Sequence, residues 1–133
     1  MTDTPTKKAS ILLLDDDNFL LGMYGMKFSQ NGYAVESFLS ANQALGALRG
    51  GLNIDVILFD IMMPELDGFS FLKALYDERL GEGSLKIALT NQSDKSEKAK
   101  AAELGASCYI IKASMIPSEV VNTVNEELAK HRA

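Results

Sequence analysis

The chain has 133 residues, 47% of them hydrophobic, and carries a formal net charge of -5. That length suits one domain with a sizeable core, and the hydrophobic share excludes a disordered chain. The acidic balance disfavours nucleic acid and anionic membranes as partners, and no apolar run reaches the roughly 18 residues of a membrane span.

Segment 1–8 is polar, lacks the apolar core of a signal peptide and reads as a flexible leader before a domain at 9–133. Ile11 to Leu14 is the first predicted strand. A helix follows, with Leu20, Met23, Tyr24 and Phe28 at helical spacing, and Asn31-Gly32 ends it. Tyr33 to Phe38 is the second strand. Ser40 suits an N-cap for a short helix lined by Ala44, Leu45 and Leu48 and closed by Gly50-Gly51. Ile54 to Phe59 is the most apolar strand and therefore central. Asp60 closes it, Pro64 breaks the pattern, and Gly68 permits the turn into a third helix marked by Phe69, Leu72, Tyr76 and Leu80.

Leu85 to Leu89 is strand four. Lys95 to Leu104 is a helix with a thin Ala-rich stripe, so it should be little buried. Ser107 to Ile111 is strand five. Pro117 opens a last helix at N1, with Val120, Val121, Val124 and Leu128 on its inner face. Cys108 has no second cysteine to pair with, which fits a reducing cytoplasm. Five strand-then-helix units predict an α/β fold: a doubly wound, flavodoxin-like parallel sheet in the order 2-1-3-4-5, covered by five helices. Such a sheet places its site outside the C-terminal ends of strands one and three.

The notable polar residues fall at that edge. Asp15, Asp16 and Asp17 follow strand one, Asp60 strand three, Thr90 strand four and Lys112 strand five. Each has an ordinary alternative: a helix N-cap cluster for the Asp run, a β-former for the Thr, a solvated charge for the Lys. Their convergence favours a site. Clustered carboxylates repel unless a cation sits among them, and Mg²⁺ with one or two carboxylates suits this oxygen-rich set. Lys112 adds fixed positive charge and Thr90 a hydroxyl. Together they are the parts of a site that stabilises a phosphoryl group on a carboxylate nucleophile, Asp60.

From about Ala9 to its end the chain resembles the receiver domains of two-component response regulators, chemotaxis regulators among them. The resemblance rests on Leu14-Asp15-Asp16, on Asp60-Ile61-Met62-Met63-Pro64 with Asp67-Gly68, on Ala88-Leu89-Thr90, on Leu104-Gly105-Ala106, and on Tyr109 and Lys112. The spacing is family-like: 44 residues from Asp16 to Asp60, 30 on to Thr90, and 52 from Asp60 to Lys112. It implies that Asp60 takes a phosphoryl group from the phosphohistidine of a histidine kinase or histidine phosphotransfer protein. Asp16, Asp60 and the backbone carbonyl of Met62 would hold Mg²⁺, with Asp15 directly or through water. Thr90 and Lys112 would grip phosphoryl oxygens, and Tyr109 would be the switch aromatic. Such a protein is a phosphorelay switch, not a turnover enzyme. It would act without an output domain of its own, through a protein partner on the face of helix four, strand five and helix five, carrying Lys95, Lys98, Lys100 and Tyr109.

Two positions depart from the family pattern. Asn91 stands where a small residue is usual, and Ala113 where Pro follows the Lys. A cis bond before a non-proline residue costs about 2.5–4 kcal/mol. The expectation is a trans Lys112–Ala113 peptide, a bend taken up by Ala113 and Ser114, and a Lys112 held less rigidly. Met62 and Gln92 should overhang the site without offering an acid to orient water, so the phosphorylated state should be long-lived. Two other functions fit parts of the pattern. A phosphatase of the haloacid dehalogenase type also uses Asp, Thr and Lys, but Phe19 and the absence of a late acidic motif oppose it, since Glu119, Glu126 and Glu127 all fall on the last helix. An unphosphorylated receiver-fold interaction module would have no need of the convergent groups.

Overall fold

The computed structural model describes residues 9–91 and 94–132; segment 1–8, expected to be a flexible leader, and Gln92 lie outside the described residues. Among the described residues, strands and helices alternate: β1 (Ser10–Leu14), α1 (Asn18–Gln30), β2 (Ala34–Phe38), α2 (Ala41–Arg49), β3 (Val56–Asp60), α3 (Gly68–Glu78), β4 (Leu85–Thr90), α4 (Lys95–Glu103), β5 (Cys108–Ile111) and α5 (Pro117–Arg132). All pairings are parallel, in the order β2-β1-β3-β4-β5. The predicted doubly wound topology is therefore the observed one.

Strand alternation splits the core into two layers. Ile11, Leu13, Val56, Leu58, Ile87, Leu89 and Ile110 face α1 and α5. Leu12, Leu14, Ile57, Phe59 and Ala88 face α2, α3 and α4. Burying both faces explains why the central strands read as unbroken apolar runs. On α5 the buried residues are the predicted Val120, Val121, Val124 and Leu128. On α4 only Ala101 is buried, as the thin stripe implied.

The α3 helix is rotated from its predicted face, while α1 keeps Tyr24 and Phe28 inside and adds Leu21. On α1, Leu21 is buried with Tyr24 and Phe28, while Met23 is only partly covered. On α3 the buried set is Gly68, Phe71, Leu72 and Leu75, and Tyr76 is 80% exposed. The cause on α3 is Gly68. A Cβ there would lie 2.6 Å from the Asp60 carbonyl oxygen and 2.7 Å from Ile61 Cα. The Gly68 N–H also donates to the Ile61 carbonyl at 2.9 Å. This contact seats the helix start on the end of β3, and the residues three, four and seven positions on then face inward.

Gly68→Ala is expected to lower stability by about 1–3 kcal/mol, because the clash is with backbone and cannot be relieved by a rotamer change. Urea unfolding checks it. Wild-type stability in the Ala variant would mean the loop yields without cost.

Candidate phosphoacceptor site

Four predicted site residues meet at the C-terminal edge of the sheet. Asp60 ends β3 and pairs with Leu89, the residue before Thr90; Thr90 pairs with Ile111, the residue before Lys112. Asp15 follows β1 directly, its N–H donating to the Phe38 carbonyl at 3.2 Å. The order of the sheet makes neighbours of positions up to 97 residues apart in the chain.

The predicted Asp run divides its work. Asp17 is the N-cap of α1, accepting from Leu20 N–H at 3.1 Å. The capping alternative is thus right for this one acid. Asp15 is buried and accepts from Asp17 N–H at 2.9 Å through Oδ1. Asp16 is exposed. Carboxylate oxygens of Asp15, Asp16 and Asp60 all lie within 4.8 Å of one another. Glu119, Glu126 and Glu127 are not part of this cluster and lie on α5, away from the late acidic motif that a dehalogenase-type site needs.

Lys112 bridges two of the acids. Its ammonium donates to Asp15 Oδ2 at 2.7 Å and to Asp60 Oδ2 at 3.2 Å. All three side chains are almost fully buried. Burial pushes the Asp60 carboxyl up to about 6, with Lys112 pulling it down and Asp15 pushing it up. Burial pulls the Lys112 ammonium down, but its bonds to Asp15 and the Asp60 charge outweigh that, and its pKa rises. Lys112 is therefore firmly charged. The expected trans peptide at Lys112–Ala113 is present, and a 3-10 turn at Lys112–Ser114 takes up the bend. The expected looseness of Lys112 is not found. Two carboxylates at bonding distance fix its ammonium more tightly than the backbone isomer could release it.

Thr90 is fully buried, and its hydroxyl has no hydrogen-bond partner among the described residues. A buried hydroxyl without a partner costs roughly 1–3 kcal/mol, so its presence at this edge calls for a ligand oxygen. Met62 donates its N–H to Asp60 Oδ1 at 3.3 Å, while its side chain is 57% exposed. Asn91 is exposed beside Thr90.

Tyr109 lies on β5 opposite Ala88, on the face of the sheet shared by Thr90. Its hydroxyl donates to Glu97 Oε1 at 3.0 Å. Lys95 and Lys98 are exposed on α4. Lys100 was expected on the same face, but its ammonium sits 4.6 Å from the centre of the Phe69 ring on α3. The attraction of the cation to the ring turns it toward α3.

Sequence reasoning missed two polar partners. Glu97 stands in the first turn of α4, where the macrodipole favours an acid, and nothing local sets it apart. Tyr24 looked like core. Its phenol is buried among the α1 and α5 residues; burial pushes its pKa up, Lys112 pulls it down, and Asp15 and Asp60 push it up. It lies within electrostatic reach of the site. A polar tip at a core position was the only signal.

Three carboxylates, one ammonium and one hydroxyl can hold a divalent cation and a phosphoryl group at Asp60. Known proteins share this fold. The family model described as "Response regulator receiver domain" matches residues 11–125. The response regulator SaeR of Staphylococcus aureus is 29% identical over 120 residues, which cover 90% of this chain and 50% of that protein. The chain thus spans about half the length of the curated relatives it matches. A CheY-like receiver domain from Methanospirillum hungatei superposes with a TM-score of 0.83 at 26% identity, covering 92% of this chain and 95% of that one. The receiver domain of the Francisella response regulator 1452 gives a TM-score of 0.81 at 28% identity, covering 92% and 98%. With the sheet order, the acid cluster and the family match in agreement, the chain belongs to the response regulator receiver domains of two-component signalling.

Proposed function

We propose that this receiver domain accepts a phosphoryl group on Asp60 from the phosphohistidine of a histidine kinase or a histidine phosphotransfer protein, in a Mg²⁺-dependent reaction. The observation that carries this is the buried Asp15–Lys112–Asp60 bridge with a Thr90 hydroxyl that has no partner among the described residues at the same sheet edge. Receiver domains of this family interact with such donors. No helix among the described residues is long and apolar enough to cross a membrane, and a cytoplasmic place is part of the proposal.

An Asp60 carboxylate oxygen attacks phosphorus. The bond from phosphorus to the donor imidazole nitrogen breaks, its electron pair stays on that nitrogen, and the imidazole takes up a proton. Lys112 neutralises the phosphoryl oxygens from one side, and the Thr90 hydroxyl donates to another. Asp15, Asp16, Asp60 and the Met62 carbonyl would hold Mg²⁺, which supplies charge neutralisation when bound. Asp15, which shares Lys112 with Asp60, would act directly or through water. The domain ends as a switched protein, not as a catalyst that turns over. An interaction module that is never phosphorylated would leave the buried Thr90 hydroxyl without a purpose.

Incubation with a small-molecule phosphodonor and Mg²⁺ should add one phosphoryl mass to the wild type and none to Asp60→Asn. Equal labelling of the Asn variant at that site would overturn the assignment. Met62 bears on the lifetime of the phosphorylated form. Its backbone N–H donates to Asp60, and its exposed apolar side chain offers nothing to orient water. Met62→Asn is expected to speed dephosphorylation several-fold, and an unaltered decay curve would show that Met62 lies clear of the water's path.

Output is proposed to run through α4, β5 and α5 to a protein partner. Thr90 would move toward the phosphoryl group and free room for Tyr109 to turn. Tyr109 and Thr90 on one face of adjacent strands, and an α4 whose one buried residue is Ala101, support that route.

A further inference from the structure

We propose that Glu97 is the off-state lock of this switch: its carboxylate holds the Tyr109 hydroxyl against the first turn of α4, and that bond must break for the output face to rearrange. This deepens the functional reading above and rests on the switch role given there to Tyr109.

Among the described residues, Glu97 and Asp94 tie the tyrosine to one helix end. Its hydroxyl donates to Glu97 Oε1 at 3.0 Å, and it accepts a backbone hydrogen bond from Asp94. Asp94 is the N-cap of α4 and Glu97 lies in its first turn. Burial first, then the bond to Glu97, push the Tyr109 phenol up to about 12, so it stays a donor at any physiological pH.

The helix has little else to hold it. Ala101 is its one buried residue, and Lys100 over the Phe69 ring is a partly solvated contact to α3. An Ala buries little apolar surface, so the Tyr109 bonds are a large share of what places the N-terminal turn. Rotation of the ring and release of that turn are therefore one event.

The same turn is linked to the phosphoacceptor site through the chain. Thr90 ends β4, and Asp94 is four residues on. A Thr90 drawn toward a phosphoryl oxygen pulls on the segment that presents Asp94 and Glu97 to the tyrosine. Glu97 thus opposes phosphorylation by stabilising the resting arrangement. By linkage, removing it should tighten binding of any ligand that favours the switched one.

The test is the apparent affinity of the full chain for beryllofluoride with Mg²⁺ in four proteins: wild type, Glu97→Ala, Tyr109→Phe and the double variant. Glu97→Ala is expected to bind about 5-fold more tightly, the effect of one partly buried hydrogen bond to a charged group. In the Tyr109→Phe background the same change should have no effect, because the lock has already lost its other half. Unchanged or weaker binding by Glu97→Ala overturns the proposal. So does an equal gain in both backgrounds, which would assign the effect to the helix dipole.

Amide exchange of residues 95–103 without phosphodonor or metal gives a second readout. It should quicken in Glu97→Ala and not change further in the double variant relative to Tyr109→Phe. If the wild type takes no beryllofluoride at Asp60, the phosphoacceptor reading fails, and this exchange pattern alone decides the lock. Identical exchange in wild type and Glu97→Ala would then refute it.

Discussion

Asp16→Ala is expected to lose Mg²⁺ affinity by about 100-fold or more and to lose phosphorylation with it, while the fold survives. Outer-sphere partners of a metal already cost about 10–100-fold when removed, so a direct ligand sets the lower bound at the top of that range. Asp16 is exposed and lies with Asp15 and Asp60 inside a 4.8 Å cluster. Among the described residues its charge is the one of the three without a bond to Lys112, and a divalent ion is the natural counter-charge. Removing it should leave the Lys112 bridge intact, so metal-free stability should be equal or slightly higher. Calorimetric titration with Mg²⁺ and a phosphodonor assay read both parts. Normal labelling of Asp16→Ala in Mg²⁺ would remove this residue from the metal site.

Asp60→Asn should make the metal-free protein more stable than wild type at neutral pH, by about 1–3 kcal/mol. The low end of that range allows for solvent and ionic screening. Burial raises the Asp60 pKa from its ordinary value of 3.8 to about 6 in the fold. Below pH 4 the carboxyl is protonated in both folded and unfolded chains, and nothing is lost. Between about pH 4 and 6 the unfolded chain gives up its proton while the fold retains it, so stability falls as pH rises. Above pH 6 the loss is complete. Asparagine mimics the protonated acid, so the gain of the variant should appear across that window and vanish below it. Saturating Mg²⁺ should reverse the order, because a ligand bound only by the fold adds about 2.7 kcal/mol at 100 times its dissociation constant. Chemical unfolding at pH 4 and pH 7.5, with and without Mg²⁺, separates these terms. A stability difference independent of pH would show that Asp60 is not strained by burial.

The strand alternation, helix spacing and Gly and Pro punctuation carry the topology locally. Hydrophobic period is a property of neighbouring residues, so the order of elements, the α5 face and the thin α4 stripe were legible in the chain. Asp15, Asp16, Asp60, Thr90 and Lys112 were legible too, because each sits at the end of a readable strand and the sheet order converts those ends into one edge. Distances within that edge were not. Which acid of Asp15, Asp16 and Asp17 caps the helix depends on the direction each side chain takes after β1. The firm hold on Lys112 comes from two carboxylates delivered by other strands, and no local rule anticipates it. The α3 face was misjudged because apolar spacing leaves two adjacent stripes nearly equal, and the backbone contact at Gly68 chooses between them. Glu97 and Lys100 share a helix of uniform polarity. Only the neighbours brought by the fold, Tyr109 on one side and Phe69 on the other, give each its own task.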